Sequence, residues 1–199
     1  EFVGVDIQLT EEMPEYESVQ NLLQTAIKLE FGGLAEDDTI KLENNLLTIP
    51  ITVISLTGHS IPSGTSFSRE AWLETIVTKI DGDTLFKSGI IEGPASYLDS
   101  SDTNLVLYTS YLFDDNGNPT TSVMDAYDII SDLLPGEASE VHKYETSQNF
   151  STIDQLFISV RMRFRSYKPS LLEVEHSDLL AKQPVFDMAR IDTTYIITN

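Results

Sequence analysis

Across residues 156–167 apolar and polar side chains alternate. Ile158, Val160, Met162 and Phe164 fall on one face, and Ser159, Arg161, Arg163 and Arg165 on the other. A period of two over that length predicts a strand with one face buried. A second alternating run, 71–80, is turned by Asp81-Gly82-Asp83 into a short strand at 84–86. Residues 46–56 are nearly all apolar or β-branched, the pattern of a buried strand. With residues 39–42 they flank Asn44-Asn45, a two-residue hairpin signal. Further strands are predicted at 105–113, 141–146 and 193–198. Residues 122–134 read two ways: Val123, Tyr127, Ile130 and Leu134 fit a helical stripe, but the segment is rich in β-branched side chains. Leu134-Pro135-Gly136 ends it. One helix is predicted over residues 10–26, with Pro14 and acidic residues in its first turn and Tyr16, Val19, Leu23 and Ala26 on one stripe. It stops near Gly32-Gly33, and residues 26–31 can already be extended. After Lys168 the pattern loosens.

These elements predict a mainly β chain: an immunoglobulin-like antiparallel β-sandwich with a short N-terminal helix. Residues 1–32 form the helical or linker segment and residues 33–199 the sandwich. Strands do not alternate with helices, which argues against a parallel α/β sheet.

Composition narrows the function. The 199 residues hold 32 Asp and Glu against 12 Lys and Arg, a net charge of -20. Such a polyanion repels phosphate backbones and anionic lipid, so nucleic acid is not an expected partner. No apolar run approaches the ~20 residues of a membrane span. The absence of cysteine removes disulfides, thiolate nucleophiles, cysteine zinc sites and any Cys-x-x-Cys-His haem attachment. The chain opens Glu1-Phe2-Val3 without methionine, as expected of a processed protein or a fragment.

Catalytic constellations are sparse. The three histidines, His59, His142 and His176, form no metal-ligand pair of known spacing, and no nucleophile elbow or phosphate loop occurs. An autonomous enzyme is not expected. The acidic turn Asp114-Asp115-Asn116-Gly117-Asn118 alternates oxygen ligands but fails EF-hand spacing, with glycine fourth instead of sixth. Asn116-Gly117 is a hairpin turn in its own right. Arg161, Arg163 and Arg165 offer either a docking face for an anionic group or cross-strand pairs with the surplus carboxylates. The most distinctive stretch is Thr57-Gly58-His59-Ser60-Ile61-Pro62-Ser63-Gly64, followed by Arg69-Glu70-Ala71-Trp72-Leu73. It reads as a strand leaving the sheet, making a glycine- and proline-set excursion with His59 at its tip, and re-entering behind the sole tryptophan.

That stretch resembles the haem-free C-terminal domains of multihaem c-type cytochromes. The signature is carried by Gly58, His59, Pro62, Gly64, Arg69 and Trp72, then by Asp81-Gly82 and Leu85-Phe86-Lys87-Ser88-Gly89. Residues 111–121 resemble that family's aromatic strand ending in Asp-x-x-Gly-x-Pro-Thr, and Phe2-Val3-Gly4-Val5-Asp6 resembles its junction after the last haem-bearing stretch. The similarity spans roughly residues 1–167; Ser63 stands where threonine or glycine is usual, and the tail after Lys168 matches nothing in the family. The resemblance implies an exported, periplasmic or extracellular, electron-transfer protein. This chain would be a non-catalytic module packing against a haem-bearing domain or subunit, and assembling with neighbouring subunits. Haem c would belong to the parent protein or a partner, with none attached covalently here. His59 is then a candidate axial ligand, unless it only pins its own loop. The alternative from another class is an extracellular adhesion or ligand-binding sandwich stabilised by calcium in its acidic loops.

Overall fold

The computed structural model of the chain describes residues 10–32, 39–42, 46–147 and 155–198. The expected turn at Asn44-Asn45 and the junction-like opening at residues 2–6 lie outside them. In chain order the elements are α1 (Pro14–Gln24), β1 (Ile27–Phe31), β2 (Thr39–Lys41), β3 (Leu46–Ser55), β4 (Glu70–Lys79), β5 (Thr84–Ser88) and β6 (Leu107–Phe113). Then follow β7 (Pro119–Thr120), β8 (Asp128–Asp132), β9 (Ser139–Ser147), β10 (Gln155–Arg165), α2 (Pro169–Glu175) and β11 (Phe186–Thr198).

Two sheets share one core. The smaller runs β1-β3-β9; the larger runs β2-β11-β10-β4-β6-β7, with β5 beside β4 and β8 beside β6. The chain is therefore a mainly β sandwich, antiparallel except where β2 joins β11 in parallel. Strand β3 alternates: Leu47, Ile49, Ile51 and Val53 are buried, while the residues between them are half-buried. Its apolar run thus comes from one core face plus β-branched residues on a partly covered outer face. Opposite it, Leu73, Val77, Leu156, Ile158, Val160 and Met162 complete the core. Tyr16, Val19 and Leu23 of α1 lie against its edge, with the Tyr16 ring 5.0 Å from Phe186. Of residues 26–31, Ala26 still belongs to the turn that ends α1, and 27–31 are extended: β1 pairs along β3 from Ile27↔Ser55 to Phe31↔Ile51.

The register of β10 against β4 sets both faces of the larger sheet. Phe164 opposes Ala71 and Met162 opposes Leu73, all directed at the core, while Arg165 opposes Glu70, Arg163 opposes Trp72 and Arg161 opposes Glu74 on the reverse face. Arg163 donates to Glu74 at 2.7 Å and to Asp187 of β11 at 3.2 Å. Arg165 donates to Glu70 at 2.6 Å and reaches the carbonyls of Ser96 at 2.7 Å and Pro94 at 3.2 Å. Loop 89–106 is thereby folded over the ladder. Trp72 is fully buried there, its indole N–H on the Gly89 carbonyl at 3.0 Å and the Arg165 guanidinium 5.4 Å from its ring centroid. Gly89 has φ +68°, and a Cβ at that position would meet the Leu73 carbonyl oxygen at 2.0 Å, so only glycine fits.

A buried guanidinium left without its carboxylate is strongly destabilising, whereas replacing both partners by apolar side chains is often neutral. Glu70→Gln is therefore expected to cost about 3–5 kcal/mol in urea unfolding. Adding Arg165→Met to Glu70→Leu should restore most of the stability; a double variant as unstable as the single one would show that the ladder acts through something besides charge.

Candidate functional site

The excursion between β3 and β4 is held from both ends. After Ser55 the chain leaves the sheet, and the Thr57 hydroxyl donates to the His59 carbonyl at 2.7 Å. Ile61 and Leu134 exchange backbone hydrogen bonds of 2.8 and 3.0 Å, and the Glu137 N–H donates to the Thr57 carbonyl at 2.9 Å. Gly64 turns the chain at φ +69°. Arg69 reaches back to donate to the Ser63 carbonyl at 2.9 Å. The Ile61–Pro62 peptide is cis, and both residues are buried. Gly136 presses on the tip: a Cβ there would lie 2.6 Å from the His59 nitrogen and 2.7 Å from the Gly58 carbonyl carbon. Nothing crowds Gly58 itself.

On this frame His59 is exposed, with Nδ1 3.1 Å from the Ser60 carbonyl oxygen. A carbonyl only accepts, so in this bond Nδ1 carries the proton. In the neutral ring the lone pair then sits on Nε2, the tautomer suited to metal ligation. Beside the imidazole lies a groove of about 280 Å³ lined by Val19, Leu22 and Leu23 of α1 and by Pro62, Phe164 and Met188. Arg69 also lines it, and forms no ion pair among the described residues. An apolar slot bearing one imidazole and one uncompensated guanidinium can take a flat apolar group with an anionic edge.

The structure brings Gly58, His59, Pro62, Gly64 and Arg69 into one loop. Trp72 belongs elsewhere, on the face of β4 turned away from Phe164. Arg161, Arg163 and Arg165 share that reverse face, where Glu74, Asp187 and Glu70 engage them and their side-chain exposures are 30%, 17% and 0%. In the acidic turn, Asp114 Oδ1 accepts the N–H of Asn118 at 2.8 Å and of Asn116 at 2.9 Å, and Oδ2 the Asn118 amide at 3.1 Å. These bonds, the Asn118 backbone first, hold its carboxyl below the usual range. No three His, Asp or Glu side chains among the described residues cluster as a metal site.

One constellation escaped the sequence reading. Tyr108, buried on β6, donates its hydroxyl to Glu140 of β9 at 2.9 Å, with His142 Nε2 also 2.9 Å away. Burial, then Glu140, pushes the phenol far up. Burial pushes the His142 imidazole below its ordinary value of 6.5 despite Glu140 and Asp132 nearby. The only sequence signal was Glu140 and His142 two apart on one strand face; their partner Tyr108 lies 32 residues before the first and 34 before the second.

No protein-family model matches the chain, and no curated protein sequence is detectably similar. Among solved structures it is similar to a penta-heme cytochrome c552 from Thermochromatium tepidum, with a TM-score of 0.62 at 18% identity over 88% of this chain. The match spans 41% of that chain's length. At this identity the likeness is one of fold.

Gly136→Ala is expected to lower stability by about 1–3 kcal/mol through overpacking and to shift the NMR signals of the His59 ring. Gly58→Ala should change stability by under about 0.5 kcal/mol; equal effects of the two would sever the link between Gly136 and the tip. His142 titrates with its own sign. Its folded-state pKa lies below the unfolded value, so a proton favours the unfolded chain. Stability should therefore decline as pH falls below 6.5 toward that lower value. His142→Gln should flatten the decline in chemical-denaturation curves measured across that window.

Proposed function

We propose that this chain is a non-catalytic β-sandwich module of an exported multihaem c-type cytochrome, packing against the haem-bearing part with His59 offered as an axial ligand. The observation that carries this reading is the loop itself. His59 stands exposed beside an apolar groove, with Nδ1 tied to the Ser60 carbonyl. The fold likeness to a penta-heme cytochrome over 88% of the chain supports it.

A groove of about 280 Å³ with an imidazole at its rim would receive one edge of a haem. Haem, when bound, supplies the one-electron step, and imidazole is a common axial ligand. Ser60 fixes the ring tautomer. Leu22, Leu23, Phe164 and Met188 would exclude water from a group seated in the groove, and Arg69 would pair with a carboxylate at its edge. The calcium-stabilised adhesion reading gains no support from the acidic turn, because both carboxylate oxygens of Asp114 are engaged by the turn itself.

The test is an absorption spectrum and intact mass of the native protein from its source, followed by His59→Ala in that protein. A Soret band with a mass above 22.2 kDa, and one haem passing from low-spin to high-spin in the variant, are expected. A colourless protein would overturn the electron-transfer role. An unchanged haem set in the variant would overturn ligation by His59 alone.

A further inference from the structure

A second cavity, of about 450 Å³, opens between β6, β7 and the start of α2, in a part of the fold that the His59 groove does not use. Its walls are apolar at Phe67, Leu112 and Leu171 and carry the hydroxyls of Thr120 and Ser170. Lys168 lines it with only 8% of the residue exposed. The ammonium donates to the Ser110 carbonyl at 2.6 Å and stands 4.2 Å from the centroid of the Tyr111 ring.

What sets this lysine apart is its lack of a carboxylate. The chain has 32 acids for 12 bases, and the other buried cation, Arg165, is paired with Glu70. Lys168 forms no ion pair among the described residues. Glu70 acts on it only through space, being committed to Arg165. An ammonium has three donors, of which the Ser110 carbonyl takes one. Burial accordingly pushes its pKa down. A desolvated cation facing an apolar, hydroxyl-lined cavity is the arrangement that fixes the charged end of a small organic acid.

We propose that this cavity binds a small organic carboxylate, its apolar body against Phe67 and Leu171 and its anionic end on the Lys168 ammonium. The hydroxyls of Thr120 and Ser170 complete the anion's hydrogen bonds. The acidic surface disfavours anions at long range, so recognition depends on the short-range pair, which salt screens less because it is buried.

Benzoate is the probe, with benzamide as its uncharged isostere, each titrated into the chain while NMR follows Tyr111 and Leu171. Benzoate is expected to saturate with Kd of ~1 mM and benzamide to bind at least about tenfold more weakly. Leu171→Trp, which fills the cavity and keeps the lysine, should abolish benzoate binding, and Lys168→Met should reduce it to the benzamide level. Equal affinity for the two probes, no binding of either, benzoate binding that survives Leu171→Trp, or a retained preference in Lys168→Met would each overturn the site. Should Lys168→Met fail to fold, the two-probe comparison and Leu171→Trp decide.

Discussion

The structure depends on the register between β4 and β10. Side chains alternate across a strand, so a slip of one residue would carry Arg161, Arg163 and Arg165 into the inter-sheet core and expel Val160, Met162 and Phe164. Burying three guanidinium groups among Leu73, Val77 and Ile51 without acids would cost more than the sheet's hydrogen bonds return. In the observed register each arginine finds its partners on adjacent strands: Glu74 and Asp187 for Arg161 and Arg163, Glu70 for Arg165. Loop 89–106 then closes over the ladder through the Pro94 and Ser96 carbonyls. The ladder thus specifies the fold more than it stabilises it, since an apolar pair of similar volume would hold the strands as well.

The alternation in β10 was plain because one face is uniformly apolar and the other uniformly polar. Which acids meet the arginines was not, because a chain with 32 carboxylates offers too many partners to choose from by spacing. Strand β11 was legible only over its last six residues. Opposite Met162 and Arg163 its register shifts, Ala189 facing the first and Asp187 the second, and this bulge breaks the period of two. Segment 122–134 read equally as helix or strand; residues 128–132 form strand β8, whose partner β6 supplies the hydrogen bonds that local spacing cannot reveal. Helix α2 has seven residues, too few for a periodic signature, and α1 is trimmed from 10–26 to Pro14–Gln24.

Of the His59 loop, the residues and their excursion were legible, but what holds the tip was not. Gly136 approaches His59 from 77 positions further along the chain, and its need for glycine comes from that contact, not from a turn of its own. The same holds for Leu134, whose backbone closes the bridge to Ile61. The sequence reading of Pro135-Gly136 as a mere breaker therefore understated it. The segment ends β8 and, by pressing on the loop, fixes where the imidazole stands.

A rigid loop matters more here than a strong electrostatic pull. No lysine or arginine lies between Lys87 and Lys143, so a long stretch of the surface repels any acidic neighbour, including a second copy of the chain. At physiological ionic strength that repulsion fades beyond roughly 8 Å, leaving short-range contacts to decide what docks. The His59 groove offers contacts of that kind: apolar walls, one guanidinium without an acid partner among the described residues, and an imidazole whose ring is already oriented. Because Ser60, Gly136 and the Ile61–Leu134 bridge order the loop before anything binds, little conformational entropy is lost on docking. A partner presenting an apolar surface edged by carboxylates can then be held against a domain that is itself strongly anionic.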